Sequence, residues 1–192
     1  AMKFRLCRQV RWLKSGPLPL LEIHSMKNPP PALSEEQIAQ LPYRPGVGIM
    51  LVNQKGQILV AQRIDNPGPA WQMPQGGIDE GEKPWATAKR ELEEETGIPP
   101  RLVERIAECP ERQKYDLPPE LRGKLWGGKW KGQLQDWYLA RFLGDDSDVN
   151  IATKHPEFDD WKWVDPDELP DLIVPFKRDL YRRLVDEFPE RF

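Results

Sequence analysis

Cysteine is scarce in this chain: Cys7 and Cys109 are the only two in 192 residues. They lie far apart and outside any CxxC spacing, which excludes a disulfide framework and a zinc ribbon and makes a reducing cytosol the expected compartment. Histidine is as rare. His24 and His155 form no Ser/His/Asp grouping, and no Walker-type loop is present. A basic excess is missing too. A formal net charge of -3 and a pI near 5.6 argue against a nucleic-acid coat, stable DNA binding or a polybasic membrane binder, because such binding runs mainly on phosphate neutralisation. Any phosphate handled here must therefore be met by a few local groups. No apolar run approaches the ~20 residues of a membrane span, and "GPLPLLEI" is too short and Pro-broken for a secretory core. A soluble, cytoplasmic protein without membrane attachment is expected.

Proline and charge are plentiful. Residues 1–42 are Pro-rich, break at "NPPPALS", and read as a loosely attached arm preceding a domain over 43–192. Within the arm, Ala1 reads as a cloning scar and Met26 as a candidate native start; a mature N-terminus at Met2, found by mass spectrometry, would overturn that. The remainder suits one domain, burying roughly 70% of its unfolded surface. "GVGIMLVN" and "QILVAQR" read as strands joined through "NQKG" in a hairpin, and "IDNPGPAWQMPQGG" as a loop without regular structure. Pro84 to Thr96 reads as a helix, with Pro84 at its first position, Gly97 just past its end and Trp85, Ala88 and Leu92 along one apolar stripe. "RLVERIAEC", "QLQDWYLARFL" and "WKWVD" read as strands, "KLWGGKWK" as a tight hairpin tip, and Asp165 with Pro166 as a turn or short helix. "PFKRDLYRRLVDEF" reads as a helix from the four-residue recurrence of Phe176, Leu180, Leu184 and Phe188. Strands on either side of a central helix, with a helix at the end, indicate an α+β or α/β sandwich with a mixed sheet.

The central helix carries an unusual load. Glu91, Glu93, Glu94 and Glu95 crowd beside Arg90, and at about 100° per residue Glu91, Glu94 and Glu95 share one arc away from the apolar stripe. Like charges at i, i+4 destabilise a helix, so Glu91 facing Glu95 needs a counter-charge that Arg90, pairing with Glu94, does not fully supply. Mg²⁺ would supply it, taking a few carboxylates and completing its shell with water and phosphate, and the Gly-rich "QGGIDEGE" would let backbone approach a ligand. Charge alone does not choose between this and a solvated acidic face.

The spacing does choose. Gly76, five residues, Glu82, seven residues, Arg90-Glu91-Leu92, one residue, Glu94-Glu95, one residue and Gly97-Ile98 match the signature of the Nudix hydrolases over residues 76–98. "YRPGVGIMLVN", "WQMPQGGIDEGE", "PEFDDWKWV" and "FKRDLYRR" extend the likeness over residues 43–190. They resemble the branch containing RNA pyrophosphohydrolases and plant-type dinucleoside polyphosphate hydrolases.

The resemblance implies an α/β/α sandwich that hydrolyses a nucleoside diphosphate linked to another group, with Mg²⁺, or Mn²⁺ in its place, as cofactor. It implies Glu91, Glu94, Glu95 and Glu157 as metal-site acids, with a backbone carbonyl from Gln75 or Gly76. Glu95 or Glu157 would take the proton of the attacking water. Arg90 becomes the structural partner of a motif Glu, Glu82 a supporting acid, and Gly97 the end of the motif. Arg44 and Arg63 would contact phosphate and Val174, Phe176 and Lys177 the nucleotide, although by residue type alone Arg44 and Lys177 are surface charges and Val174 and Phe176 are core. Tyr115 is the expected stacking residue, in a segment to Trp130 whose Arg122, Lys124, Trp126 and Lys129 suit a base or an RNA end. The expected activity is removal of pyrophosphate from 5′-triphosphorylated RNA, cleavage of dinucleoside polyphosphates such as diadenosine tetraphosphate, or both. The alternative is an inactive Nudix-fold module that senses a nucleotide. Monomer and dimer stay open.

Overall fold

The computed structural model describes residues 33–65, 68 and 70–188. Its spine is a parallel pair: β1 (Tyr43–Val52) runs beside β7 (Gly132–Phe142) in register from Tyr43 opposite Gly132 to Val52 opposite Arg141. The other edge of β7 takes β5 (Val103–Glu108) and β6 (Gln113–Asp116), both antiparallel. β2 (Ile58–Arg63) pairs antiparallel with β8 (Phe158–Val164), and the sheet is mixed.

The expected hairpin after β1 forms, with Asn53 Oδ1 accepting from the backbone N–H of Lys55 at 2.8 Å and of Gln57 at 3.0 Å. Its strands nevertheless pair only at Val52 and Ile58. They part because residues 46–48 of β1 are paired instead with β4 (Gln75–Gly77), a strand inside the segment expected to be irregular. Glycines make this possible: a Cβ at Gly46 would strike Gln133, and one at Gly48 would strike Trp137. β3 (Trp71–Gln72), in the same segment, adds to β2.

Both faces of the sheet are buried, as its alternation requires. Met50, Val60, Trp137 and Leu139 pack beneath α4 (Arg178–Glu187), whose Leu180, Tyr181 and Leu184 face them, with Leu169 of α3 (Leu169–Leu172) beside them. Ile49, Leu51, Leu59, Ala140 and Phe142 point the other way, onto Leu92 of α2 (Pro84–Thr96). This is the α/β/α sandwich. Helix α2 ends where Gly97 adopts φ 72° and returns its N–H to the Glu93 carbonyl at 2.9 Å.

Two expectations change here. "KLWGGKWK" is no tight tip, because it lies within the long connection 117–131 between β6 and β7, where Trp126 adopts φ 53° in a 3₁₀ turn. Phe176 does not join the helical stripe, since Pro175–Lys177 form a separate 3₁₀ turn before α4 begins at Arg178. Of the arm, residues 33–42 sit on the domain. Their helix α1 (Glu35–Ala39) is held by a Ser34–Gln37 capping box, buries Ile38, and accepts a hydrogen bond from Lys131 Nζ at the Ala39 carbonyl. Residues 1–32, with the Met26 question, lie outside the described residues. No helix among the described residues is long and apolar enough to cross a membrane.

Candidate active site

The acidic arc of α2 is divided by burial. Glu91 and Glu95, one turn apart, are each only 3% exposed, whereas the Glu94 side chain, at 43%, stands at the rim. Arg90 ties the arc together. Its guanidinium grips Glu82 with two hydrogen bonds of 2.8 Å, reaches Glu91 Oε1 at 2.6 Å and Glu94 Oε2 at 3.3 Å, and donates to the Gly77 carbonyl at 3.2 Å. Sequence reasoning paired Arg90 with Glu94; the shorter bonds go to Glu82 and Glu91. The loop 76–83 is thus clamped onto the helix.

Arg90 holds the Glu82 carboxyl down at about 2, helped by the Asp79 N–H and Thr87 hydroxyl. A depressed carboxylate contributes stability above its unfolded value and loses it as pH falls through the folded one. Glu82→Gln should therefore lose stability relative to wild type at pH 6, with the difference closing between about 4.5 and 2. Urea midpoints at pH 6 and pH 3 measure this, and a gap unchanged with pH would refute it.

Glu95 has the opposite problem. Its Oε2 accepts from the Gln75 N–H at 3.1 Å, but its Oε1 is buried without a hydrogen-bond partner. Burial first, then the charges of Glu157 and Glu91, push its proton affinity well above the usual carboxylate range. Arg63 opposes this, forking onto Asp65 with two bonds of 2.7 Å and reaching Glu157 Oε2 at 3.1 Å. Gly76 packs so close to Glu91 that a Cβ there would run into the carboxylate.

Among the described residues, no three His, Cys, Asp or Glu side chains are gathered in metal-liganding geometry, and Arg90 stands between Glu91 and Glu94. The donor chemistry still fits a hard dication. An orphaned buried oxygen on Glu95, two neighbouring acids that raise its proton affinity, and the Gly76 backbone against Glu91 form an all-oxygen set short of positive charge.

Beside these acids lies a cavity of about 390 Å³, a size that suits a small ligand. Arg44, Arg63, Tyr115, Val174, Phe176, Lys177 and Gly76, all singled out in the sequence, line it. Tyr115 and Phe176 stand with ring centroids 5.8 Å apart, and the Lys177 ammonium lies 4.8 Å from the Tyr115 ring centre. Phe176 is 37% exposed, so it is not core. Lys177 is 7% exposed, so it is no surface charge, and burial, with the Arg63 charge adding, brings it down to about 7. The Arg44 side chain makes no hydrogen bond or ion pair among the described residues and lies 5.3 Å from the ring centre of Trp126. Trp126 also lines the cavity, whereas Arg122, Lys124, Lys129 and Trp130 do not.

Several polar residues escaped sequence reasoning. Tyr115 Oη donates to Gln133 Oε1 at 2.9 Å, Gln135 Nε2 donates to Gln133 and to Gln75, each at 3.2 Å, and Trp137 Nε1 donates to Gln135 at 3.0 Å. A chain of amides therefore runs from the cavity to the Gln75 side chain, whose backbone N–H holds Glu95. The signal was present in β7, where Gln133, Gln135 and Trp137 recur every second residue on one face.

A carboxylate-bearing helix clamped by arginine over a mixed sheet, with a cation-lined cavity beside it, is the arrangement this α/β/α sandwich presents. The NUDIX domain description matches residues 42–184. The chain belongs to the Nudix family. It is 58% identical over 148 residues to an RNA pyrophosphohydrolase of Cereibacter sphaeroides, covering 77% of this chain and 91% of that one. A second, from Novosphingobium aromaticivorans, is 57% identical over 155 residues, covering 80% and 96%. A C. elegans Ap4A hydrolase shares the fold, with TM-score 0.55, 22% identity and coverage of 74% and 96%.

Proposed function

We propose that this protein is a Mg²⁺-dependent pyrophosphohydrolase that removes pyrophosphate from the 5′-triphosphorylated end of RNA. The observation that carries the reading is adjacency: Gln75 and Gly76 form the wall between the cavity and the buried acids, so a nucleotide in the cavity would bring its phosphates against Glu91 and Glu95. The names of the Cereibacter and Novosphingobium relatives support the substrate class.

Glu91, Glu94, Glu95 and Glu157 would hold the metal, with a carbonyl of the 75–76 turn. Bound there, Mg²⁺, or Mn²⁺ in its place, would neutralise phosphate charge and acidify water. Arg44, whose side chain lies against the Trp126 ring and makes no hydrogen bond or ion pair among the described residues, is a cation available to the phosphate chain, with Arg63 also lining the cavity. Phe176, with Tyr115 beside it, would offer aromatic surface to a base, Val174 would pack on it, and Lys177 would stand close by. Glu95 or Glu157 would take the proton of the attacking water, and Glu82, Arg90 and Gly97 would keep the motif in shape.

The aromatic pair would hold the base of a dinucleoside polyphosphate equally well, which keeps that substrate as the second reading. Comparing kcat/KM in Mg²⁺ for a short 5′-triphosphorylated RNA and for diadenosine tetraphosphate separates the two. Preference for RNA is expected. Preference for the dinucleotide would replace the first reading with the second, and binding without hydrolysis of either would indicate a sensing module.

A further inference from the structure

The long connection between β6 and β7 turns on an unusual backbone. Trp126 adopts φ 53° and ψ 36°, in the left-handed region that bulky side chains rarely enter, and Gly127 and Gly128 follow it at φ 67° and 73°. Among the described residues Trp126 is the only non-glycine with positive φ. A residue persists in such a conformation where its surroundings fix it, and such residues cluster at functional sites. The connection is anchored elsewhere, at its neck. The Leu117 N–H donates to the Lys131 carbonyl at 2.9 Å, Arg122 Nε donates to the Leu117 carbonyl at 2.6 Å, and the Lys131 N–H donates to the Pro42 carbonyl at 3.1 Å.

The Trp126 side chain lines the cavity beside Leu117, Leu121 and Leu125 of the same connection, and there it meets Arg44 of β1. The guanidinium carbon lies 5.3 Å from the ring centre, within cation–π range. The guanidinium also rests against the bare backbone of Gly77, where a Cβ would strike Arg44 Nη2. Neither neighbour takes a hydrogen bond from it. Arg63, the other arginine of the cavity, is held differently: Asp65 and Glu157 fix it and offset its charge. An aromatic face fixes a guanidinium while leaving its five N–H donors unspent, which a carboxylate does not.

We propose that Trp126 is a positioning residue whose ring holds the Arg44 guanidinium at the cavity for the phosphates of a polyphosphate substrate. The role rests on the proposed function in one respect, that the occupant carries a polyphosphate. An arginine side chain loses much rotamer freedom when it is ordered, and ordering it before the substrate arrives removes that cost from binding. The negative charge of Glu91 acts on Arg44, so the ring also keeps the guanidinium from settling on the acids.

A double-mutant cycle tests this. kcat/KM in Mg²⁺ for a short 5′-triphosphorylated RNA is compared among wild type, Trp126→Leu, Trp126→Tyr, Arg44→Met and the double variant Trp126→Leu with Arg44→Met. Trp126→Leu should lower kcat/KM by about fivefold to thirtyfold, chiefly through KM, and Trp126→Tyr should keep most of the activity because a phenol ring also attracts a cation. Once Arg44 is methionine, adding Trp126→Leu should change kcat/KM by less than about twofold, because the effect runs through the guanidinium. Equal losses in both backgrounds, or a Trp126→Tyr variant as impaired as Trp126→Leu, would show that the ring only fills the cavity wall and would overturn the proposal. Should Trp126→Leu fail to fold, Trp126→Met, which keeps more of the packing, takes its place in the cycle. If wild type hydrolyses neither the RNA nor diadenosine tetraphosphate, the pyrophosphohydrolase reading fails separately. Calorimetric titration with inorganic triphosphate then decides on Trp126: weaker binding by Trp126→Leu only while Arg44 is present supports the role, and equal affinities for variant and wild type overturn it.

Discussion

Replacing Glu95 by glutamine should lower kcat by about 10³-fold and at the same time raise the melting temperature measured without added metal. The two effects have one origin. Glu95 is buried beside Glu91 and Glu157, has one oxygen without a partner, and binds its proton far more tightly than an ordinary carboxylate. Glutamine keeps the acceptor for the Gln75 N–H and removes the charge. A gain on the order of 1 kcal/mol corresponds to about 2–4 °C for a chain of this size. Mg²⁺ should then raise the melting temperature of wild type well above that of the variant, since a ligand stabilises the form that binds it. Kinetics in Mg²⁺ and melting curves with and without it check each part. A variant that hydrolyses at the wild-type rate, or that melts lower in the absence of metal, would show that Glu95 is a structural acid.

Arg90→Met should do the reverse, costing about 3 kcal/mol of stability. The guanidinium serves Glu82, Glu91, Glu94 and the Gly77 carbonyl together, and Glu91 is almost fully buried. Removing it leaves Glu91 as an inadequately compensated buried charge and releases the loop that carries Gly76 and Gly77. The lower end of the range for breaking buried pairs applies, because the Arg90 and Glu82 side chains remain 22% and 28% exposed and water screens part of the loss. Arg90→Lys should recover only part, since an ammonium cannot fork onto Glu82 while also reaching Glu91. Urea unfolding measures both variants. A loss below about 1 kcal/mol for Arg90→Met would mean that the loop is held by its β4 pairing alone.

The local elements were legible because their signals are local. Pro84 and Gly97 bracket α2, the alternation in residues 133–143 marks β7, and Leu180, Leu184 and Phe188 mark α4. The elements that escaped reading owe their form to distant partners. β3 and β4 are too short and too rich in Gly and Pro nearby to announce themselves, and exist because β2 and β1 present free edges to them. β6 is a strand because β7 offers it an edge. Phe176 fits the helical periodicity of the residues after it, yet Pro175 sets it in a separate turn, where it meets Tyr115 from another strand.

The candidate site divides in the same way. The sequence by itself determined the family, the acids of α2 and the arginine beside them, because a spacing of fixed residues on one helix is a one-dimensional object. Only the tertiary structure decided which of those acids is buried, and that Arg90 answers chiefly to Glu82 and Glu91. It also decided that Lys177 is enclosed, and that Gln72 Nε2 is buried without a hydrogen bond among the described residues. The physical reason is that burial and hydrogen-bond satisfaction depend on every element packed around a group. Those elements meet in space from positions as far apart in the chain as Arg44, Gln72, Tyr115 and Lys177.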